Sequence, residues 1–320
     1  MGSSPAAEAA LPPAVLLLGP TAAGKTAAAM ALCDKYPVRL ISVDSAQVYR
    51  GLDVGAAKPE PALLARYPHE LLDLRSPEQS YSAADFVADA EAAMRRAAAA
   101  GQLPVLVGGT MLYVRALLYG LDPLPSADPE VRRRIAERAE TLGWEALHGE
   151  LARQDPVVAA RIRPSDRQRV QRALEVLELT GRSLSSWQSG KRRPRFASLR
   201  VVLTTADRAI LHERIAERFE AMLRSGLVDE VAGLRERPGL TVEHPAMRSV
   251  GYRQVWDMLD GRFAEHELRA RVTAATRQLA KRQLTALRRF PATLWYDSGH
   301  SLTIERLGRQ VGGFCRRSGR

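Results

Sequence analysis

An eight-residue segment near the amino terminus combines residue types that bind phosphate. Residues 19–26 read GPTAAGKT and match the pattern G-x-x-x-x-G-K-[ST] at every defined position. The glycines allow backbone N–H groups to turn towards phosphate oxygens, and the start of a following helix favours an anion. Lys25 adds a positive charge, and Thr26 adds a hydroxyl that can bind Mg²⁺. Because the segment lies between an apolar run and a helical pattern, it predicts a phosphate-binding loop (P-loop).

A carboxylate follows the next apolar run of the chain. Val38–Val43 has the pattern of a buried strand, and Asp44 comes directly after it. Open α/β sheets build their ligand sites at the carboxyl ends of strands, so we expect Asp44 beside the P-loop. It could bind a metal or act as a general base, or it could only form a turn, because Asp-Ser is common in turns. The polar residues Ser45, Gln47 and Tyr49 favour the functional interpretation.

The elements that must position these residues alternate between strand and helix. Short apolar runs predict strands at 14–18, 38–43, 105–107 and 201–203. Helical patterns lie at 24–36, 83–100, 208–225, 227–236 and 265–289, and Ser82 and Asp85 have capping-box spacing before the second of these. The alternation predicts an α/β fold, with a P-loop NTPase-like parallel sheet flanked by helices.

The middle of the chain has a purely helical pattern. Helices are predicted at 129–142, 144–153, 155–162 and 166–180. Because strand signals return only at residue 201, residues 122–198 are expected to form an inserted all-helical domain. The α/β catalytic core is then expected at 13–121 and 199–313, after a disordered lead at 1–12.

Composition and charge narrow the classes of function. No run of 18 or more apolar residues occurs, so no membrane helix is expected, and the two cysteines form no CxxC pair that would indicate a zinc site. The net charge of +11 is concentrated: residues 131–200 carry 16 Lys and Arg against 8 Asp and Glu, and residues 271–320 carry 11 against 2. Such blocks attract polyanions such as nucleic acid, although a basic surface can also serve solubility alone.

Longer motifs resemble those of one enzyme family. The runs GPTAAGKT, ISVDSAQVYRGLDVGAAKP, YSAADF, LVGGTMLYVRALL, SADPEVR, DRQRVQRALEVLELTG, MRSVGYRQVW and ATRQLAKRQLTALR occur in this order. Together they resemble the bacterial tRNA dimethylallyltransferase (tRNA isopentenyltransferase) family over most of residues 14–290. The resemblance implies transfer of the dimethylallyl group of dimethylallyl diphosphate to the N6 amine of the adenosine immediately 3′ of the anticodon, in tRNAs that read UNN-type codons. It also implies Mg²⁺ as cofactor, the anticodon stem-loop as partner and a cytoplasmic location; nothing in the sequence requires an oligomer, so a monomer is expected.

The resemblance also assigns roles to matching positions. The diphosphate would be bound by Gly19, Pro20, Thr21, Ala22, Ala23, Gly24, Lys25 and Thr26, with Mg²⁺ near Thr26. The residues implied in catalysis are Asp44, Lys25, Thr26 and Arg218, with Asp44 accepting the proton or hydrogen bond of the adenine amine. The residues implied in tRNA binding are Asp44, Ser45, Ala46, Gln47, Thr110, Arg132, Gln168, Arg169, Val170, Gln171, Arg172, Met247, Arg248, Ser249, Val250, Gly251, Tyr252, Lys281, Arg282, Gln283, Leu284, Thr285, Ala286, Leu287 and Arg288.

Three other functions share some of these features. A small-molecule kinase or NTPase would use the P-loop for ATP, but it would need a metal-binding carboxylate near the third strand, which ends in Gly108-Gly109-Thr110. An isopentenyltransferase acting on free AMP would have little use for a basic helical insertion. An RNA-binding protein with a vestigial P-loop would not need the intact Lys25, Thr26 and Asp44.

Overall fold

The computed structural model describes residues 10–188, 190 and 192–317. Within them, six parallel strands form one sheet: β1 (Ala14–Leu18), β2 (Val38–Val43), β3 (His69–Glu70), β4 (Leu103–Gly108), β5 (Ser198–Thr204) and β6 (Leu294–Asp297). Their order across the sheet is β3-β2-β4-β1-β5-β6, so β4 lies between β1 and β2. This arrangement places the P-loop and Asp44 at the same edge of the sheet and confirms the predicted α/β fold.

The sheet and its helices share one apolar core. The flanking helices are α1 (Lys25–Cys33), α2 (Pro61–Arg66), α3 (Ala83–Ala99), α4 (Met111–Tyr119), α10 (Arg208–Arg224), α11 (Leu227–Arg235), α12 (Tyr252–Leu259), α13 (Leu268–Arg288) and α14 (Thr303–Arg317). Every residue of β1 is buried, as expected for a parallel strand covered on both faces. The capping box predicted for α3 is confirmed, because the Ser82 hydroxyl accepts from Asp85 N and the Asp85 carboxylate accepts from Ser82 N.

Two of these strands, β3 and β6, were not predicted from the sequence. The ladder of β3 has only two residues, and β6 is a four-residue edge strand whose Leu294 and Trp295 are exposed. The two residues of β3, His69 and Glu70, are both polar, and the apolar Leu294 and Trp295 of β6 lie exposed at the edge of the sheet, so neither strand forms a buried apolar run.

The helical middle of the chain is a separate compact unit at Tyr119–Arg193. Its helices are α5 (Pro129–Leu142), α6 (Trp144–Gln154), α7 (Pro156–Ala159), α8 (Arg167–Thr180) and α9 (Leu184–Trp187). Ile135, Leu151 and Leu174 are fully buried in its core. The Asp128 side chain caps α5 by accepting from Glu130 N and Val131 N.

The predicted insertion, residues 122–198, overlaps this unit. Residues 194–198 belong instead with the sheet: Ser198 begins β5, and Ala14 N donates to Ala197 O at 3.1 Å just before it. Residues 1–9 of the predicted lead lie outside the described residues, and so do Ser189 and Lys191 of the predicted insertion. Leu11, also within the predicted lead, is buried.

Among the described helices, none has both the length and the apolar character needed to cross a bilayer.

Candidate active site

A cavity of about 630 Å³ lies at the carboxyl ends of β1, β2 and β4. Its lining comes entirely from the unit that contains the sheet. Many of the residues predicted from the sequence line it: Thr21, Lys25, Thr26, Asp44, Ser45, Ala46, Gln47, Thr110, Arg218, Arg248, Ser249, Val250, Gly251, Arg282, Gln283 and Ala286. The structure therefore brings the P-loop, Asp44 and the predicted arginines Arg218, Arg248 and Arg282 to one cavity.

The P-loop has the backbone geometry of an anion site. Gly24 stands just before α1 with φ 78°, a left-handed conformation that glycine adopts without steric cost. Ala22 also has a positive φ of 62°, at a cost of about 1 kcal/mol for a residue with a side chain. The Lys25 Nζ donates to the carbonyl of Pro20 at 2.6 Å, so the ammonium already lies against its own loop.

The electrostatics of the cavity favour an anion. Removal from bulk water and then the nearby Arg218 guanidinium together lower the pKa of Lys25 to about 8, while Asp44 acts in the opposite direction. Burial likewise lowers the pKa of Arg218, again opposed by Asp44. Two partly desolvated cations that repel each other gain the most from a multiply charged anion placed between them.

Asp44 both forms a turn and keeps an oxygen for chemistry. Its Oδ1 accepts from Ala46 N at 2.8 Å, the hydrogen bond of an Asx turn. Within the described residues, no group donates a hydrogen bond to its Oδ2. Thr110 holds the neighbouring backbone, because its hydroxyl accepts from Ser45 N at 3.2 Å and its own N–H donates to Val43 O. One carboxylate oxygen is thus fixed while the other remains available in the cavity.

The Gln47 amide is already engaged within the protein. Its Oε1 accepts from the Ser42 hydroxyl at 2.8 Å, and its Nε2 donates to the carbonyls of Ala56 and Ala57 at 3.2 and 3.3 Å. Gln47 therefore holds residues 56–57, which also line the cavity, and any contact that it makes with tRNA has to be compatible with these hydrogen bonds.

Gln283 links α13 to the P-loop. Its Oε1 accepts from Thr21 N at 3.0 Å, and its Nε2 donates to Gly109 O at 3.2 Å. The side chain thus connects the loop after β1 with the loop after β4. This contact was not foreseen from the sequence, which placed Gln283 only among residues that contact tRNA.

An apolar wall completes the cavity, and the sequence interpretation missed it. Ile215, Phe219 and Met222 of α10 line this space together with Val272 and Leu279 of α13, and the two helices pack against each other. Helical spacing provides a signal that could have found part of it, because residues 215, 218, 219 and 222 share one helix face around the predicted arginine.

Four residues of the predicted tRNA-binding set are buried. Val170, Met247, Tyr252 and Leu287 each have 0% of their surface exposed, so their side chains pack in the interior and present no surface to RNA in this structure. A continuous range of residues on a helix necessarily includes its core-facing positions. Leu284 also packs inward, against the cluster around Ile215.

The remaining members of that set divide into exposed and engaged side chains. Outside the cavity lining, the exposed ones are Arg132, Gln168, Arg169, Lys281, Thr285 and Arg288. In the helical unit, Arg132 and Arg172 also pair with Glu175 at 2.8 and 2.6 Å, and the Glu175 side chain has 0% exposure. Gln171 donates to the carbonyl of Arg132. The two arginines therefore neutralise one buried carboxylate and leave one net positive charge beside it, and Arg132 keeps 44% of its side chain exposed.

Comparison with known proteins identifies the family. The family model described as IPP transferase matches residues 47–290. The chain belongs to the IPP transferase family. The tRNA dimethylallyltransferase of Dechloromonas aromatica (strain RCB) is 53% identical over 306 residues, which are 95% of this chain and 98% of that protein. The resemblance inferred from the motifs is thereby confirmed.

Solved structures agree with this assignment. The full-length tRNA isopentenylpyrophosphate transferase from Bacillus halodurans is 33% identical, with a TM-score of 0.70 over 96% of this chain and 98% of that chain. A eukaryotic dimethylallyltransferase, described as acting on tRNA, is 22% identical with a TM-score of 0.77, over 97% of this chain and 80% of that one. At that identity, the second match supports the fold of this IPP transferase family member.

Proposed function

We propose that this protein transfers the dimethylallyl group of dimethylallyl diphosphate to the N6 amine of the adenosine immediately 3′ of the anticodon of tRNA. The observation that carries the proposal is the shared cavity, in which an anion-binding loop with two cations lies beside a carboxylate. A phosphate site alone would suit many enzymes, whereas a carboxylate beside it suits attack by an amine on the carbon that bears the diphosphate.

The leaving group is stabilised by the P-loop side of the cavity. When the C1–O bond of the allylic diphosphate breaks, its electron pair passes to the diphosphate, and positive charge spreads over the dimethylallyl group. The loop N–H groups, Lys25 and Arg218 face the developing negative charge and stabilise it most when the bond is broken. The apolar wall of α10 and α13 gives the hydrocarbon a dry surface.

Asp44 acts on the nucleophile. The exocyclic amine of adenine is weakly nucleophilic, because its lone pair is delocalised into the ring. As the N6–C1 bond forms, Asp44 Oδ2 accepts an amine proton, so the product amine is neutral and the carboxyl group is protonated. General-base catalysis of this kind contributes about 10²–10⁴-fold to rate. The base has to leave its stack to enter the cavity, which costs less for a loop nucleotide than for a paired one.

The donor set fits a Mg²⁺ ion that arrives with the diphosphate. The described residues contain no group of three or more His, Cys, Asp or Glu side chains that could hold a metal alone. Mg²⁺ commonly keeps few protein ligands and takes the rest from phosphate oxygens and water. The Thr26 hydroxyl is exposed at the start of α1 and would provide the protein ligand. When bound, the ion neutralises part of the diphosphate charge.

Exposed basic side chains would bind the tRNA. Lys281, Arg282 and Arg288 lie exposed along α13, and Arg169 has 71% of its side chain exposed in the helical unit. These charges are placed for phosphate contacts, which position RNA without reading its sequence. We propose that the helical unit contributes to tRNA binding through its own exposed basic side chains such as Arg169, and that the protein works as a monomer in the cytoplasm.

Incubation with unmodified tRNA, labelled dimethylallyl diphosphate and Mg²⁺ tests the proposal. We expect label in the RNA, located by nucleoside digestion to N6 of an adenosine in the anticodon loop, with one diphosphate released per label. Matched reactions replace the tRNA with AMP, or the diphosphate with ATP. Label transferred to AMP alone, ATP turnover without prenylation, or RNA binding without any transfer would each contradict the proposal in favour of a different function.

A further inference from the structure

A carboxylate far from the P-loop in sequence holds one wall of the cavity. Glu230 of α11 accepts from three consecutive backbone N–H groups: those of Asp53 and Val54 on Oε2 at 3.0 and 2.7 Å, and that of Gly55 on Oε1 at 3.2 Å. Three N–H groups aimed at one side chain create a positive concavity that suits an ionised carboxylate. Residues 53–57, called the wall segment below, are thus fastened to α11.

Tyr252 extends this contact into the interior. Its hydroxyl donates to Glu230 Oε1 at 2.5 Å and accepts from Ala56 N at 3.0 Å. The Tyr252 ring is fully buried, and a Cβ added at Gly55 would lie 2.6 Å from it, so only glycine fits there. Burial raises the pKa of the phenol, and the Glu230 charge raises it further, so Tyr252 keeps the proton that it donates.

The opposite side of the wall segment faces the chemistry. Gly55, Ala56 and Ala57 line the cavity, and the carbonyls of Ala56 and Ala57 accept from Gln47 Nε2. Gln47 lies three residues after Asp44 and lines the same cavity. Any displacement of the wall segment would therefore be transmitted to the Gln47 amide and to the space beside Asp44.

We propose that Glu230 and Tyr252 are positioning residues that set the shape of the nucleobase side of the cavity through the wall segment. This inference rests on the proposed function, since it assigns the adenine to the side of the cavity formed by Asp44, Gln47 and the wall segment. Neither side chain contacts substrate. Their effect therefore falls on placement of the base, and not on the P-loop that holds the diphosphate.

Replacement of Glu230 by Gln tests whether Glu230 affects placement of the base without affecting diphosphate binding. The amide has nearly the same shape, but it has one acceptor oxygen for three N–H groups, and its NH₂ would meet a donor. We expect kcat/KM for tRNA to fall about tenfold, the effect of losing a charge-assisted hydrogen bond. The dissociation constant of dimethylallyl diphosphate with Mg²⁺, measured without tRNA, should stay unchanged. Asp229→Asn is the matched control on the same helix, because this substitution removes the same charge at an exposed side chain.

A second variant keeps the test decisive if Glu230→Gln is poorly folded. Tyr252→Phe deletes only the hydroxyl, so by itself it should lower kcat/KM for tRNA and leave the dissociation constant of dimethylallyl diphosphate unchanged. Where both variants fold, their effects on kcat/KM should be non-additive because both act through the same segment. Additive effects, a Glu230→Gln variant equal to Asp229→Asn, or an equal loss of diphosphate binding and tRNA turnover would overturn the inference. A wild-type protein that does not prenylate tRNA would instead refute the proposed function.

Discussion

The charge state of Lys25 makes diphosphate binding depend on pH in a predictable direction. Its pKa in the ligand-free protein is lowered to about 8, chiefly by desolvation and then by Arg218. Lysine binds the diphosphate as an ammonium ion. The ammonium is fully present well below pH 8 and is lost as the pH rises through that value, so affinity should be constant at low pH and fall above pH 8.

The magnitude follows from the same pKa. With a pKa of about 8, roughly nine in ten Lys25 side chains are protonated at pH 7 and roughly one in ten at pH 9. If only the ammonium form binds, the dissociation constant of dimethylallyl diphosphate rises about tenfold between these pH values. The bound diphosphate raises the pKa of Lys25, because an opposite charge favours the ammonium, so the complex takes up a proton in this range.

Calorimetric titration with dimethylallyl diphosphate at fixed Mg²⁺, without tRNA, measures this dependence. The matched variant is Lys25→Arg, which keeps its charge at every pH tested and should show no such decline, whatever its absolute affinity. It also corrects for ionisation of the substrate itself. A wild-type affinity that is flat to pH 9, or an equal decline in Lys25→Arg, would refute the assignment of the lowered pKa to the diphosphate site.

Three further predictions concern other residues. Asp44→Asn keeps an acceptor for Ala46 N but loses the base, so single-turnover prenylation should slow by about 10²–10⁴-fold with unchanged tRNA affinity; a wild-type rate would remove Asp44 as the base. Gln283→Leu breaks the link between the loops after β1 and β4 and should weaken binding of dimethylallyl diphosphate about tenfold in the same calorimetric assay, whereas an unchanged affinity would show that the P-loop holds its shape alone. Arg169→Glu should weaken tRNA binding and reduce its salt dependence. Arg172→Ala should mainly lower the free energy of unfolding, by about 1–3 kcal/mol in urea titration, because it removes one partner of the buried Glu175. The reverse pattern would contradict the division between arginines that are free to contact RNA and arginines that pair within the protein.

A local sequence pattern and one topological rule were sufficient to predict that the P-loop and Asp44 lie together. The P-loop is a contiguous motif, and its predicted position between a strand and a helix is confirmed by β1 and α1. Asp44 was placed beside it because parallel strands end at a common edge, and the sheet order β2-β4-β1 meets that condition. The central strands β1, β2, β4 and β5 and most of the longer helices were found for the same reason, since each carries its own period of buried residues. The edge strands β3 and β6 and the 15-residue helix α14 were not predicted.

Contacts between distant parts of the chain could not be predicted in this way. Thr21 and Gln283 are 262 residues apart, and Val54 and Glu230 are 176 apart, so no periodicity reports on either contact. The partners of charged residues were equally hidden, because nothing in the sequence pairs Arg132 with Glu175 on another helix. The buried Val170 and Leu287 were included because a sequence range does not separate the two faces of a helix.

A crystal structure with diphosphate, Mg²⁺ and an anticodon stem-loop RNA tests the central claim most directly. The account predicts phosphate oxygens held by the N–H groups of residues 22–26 and by Lys25, with the extruded adenine inside the same cavity and its N6 within about 3 Å of an Asp44 carboxylate oxygen. An adenine bound outside that cavity, or a diphosphate bound away from Lys25, would contradict it.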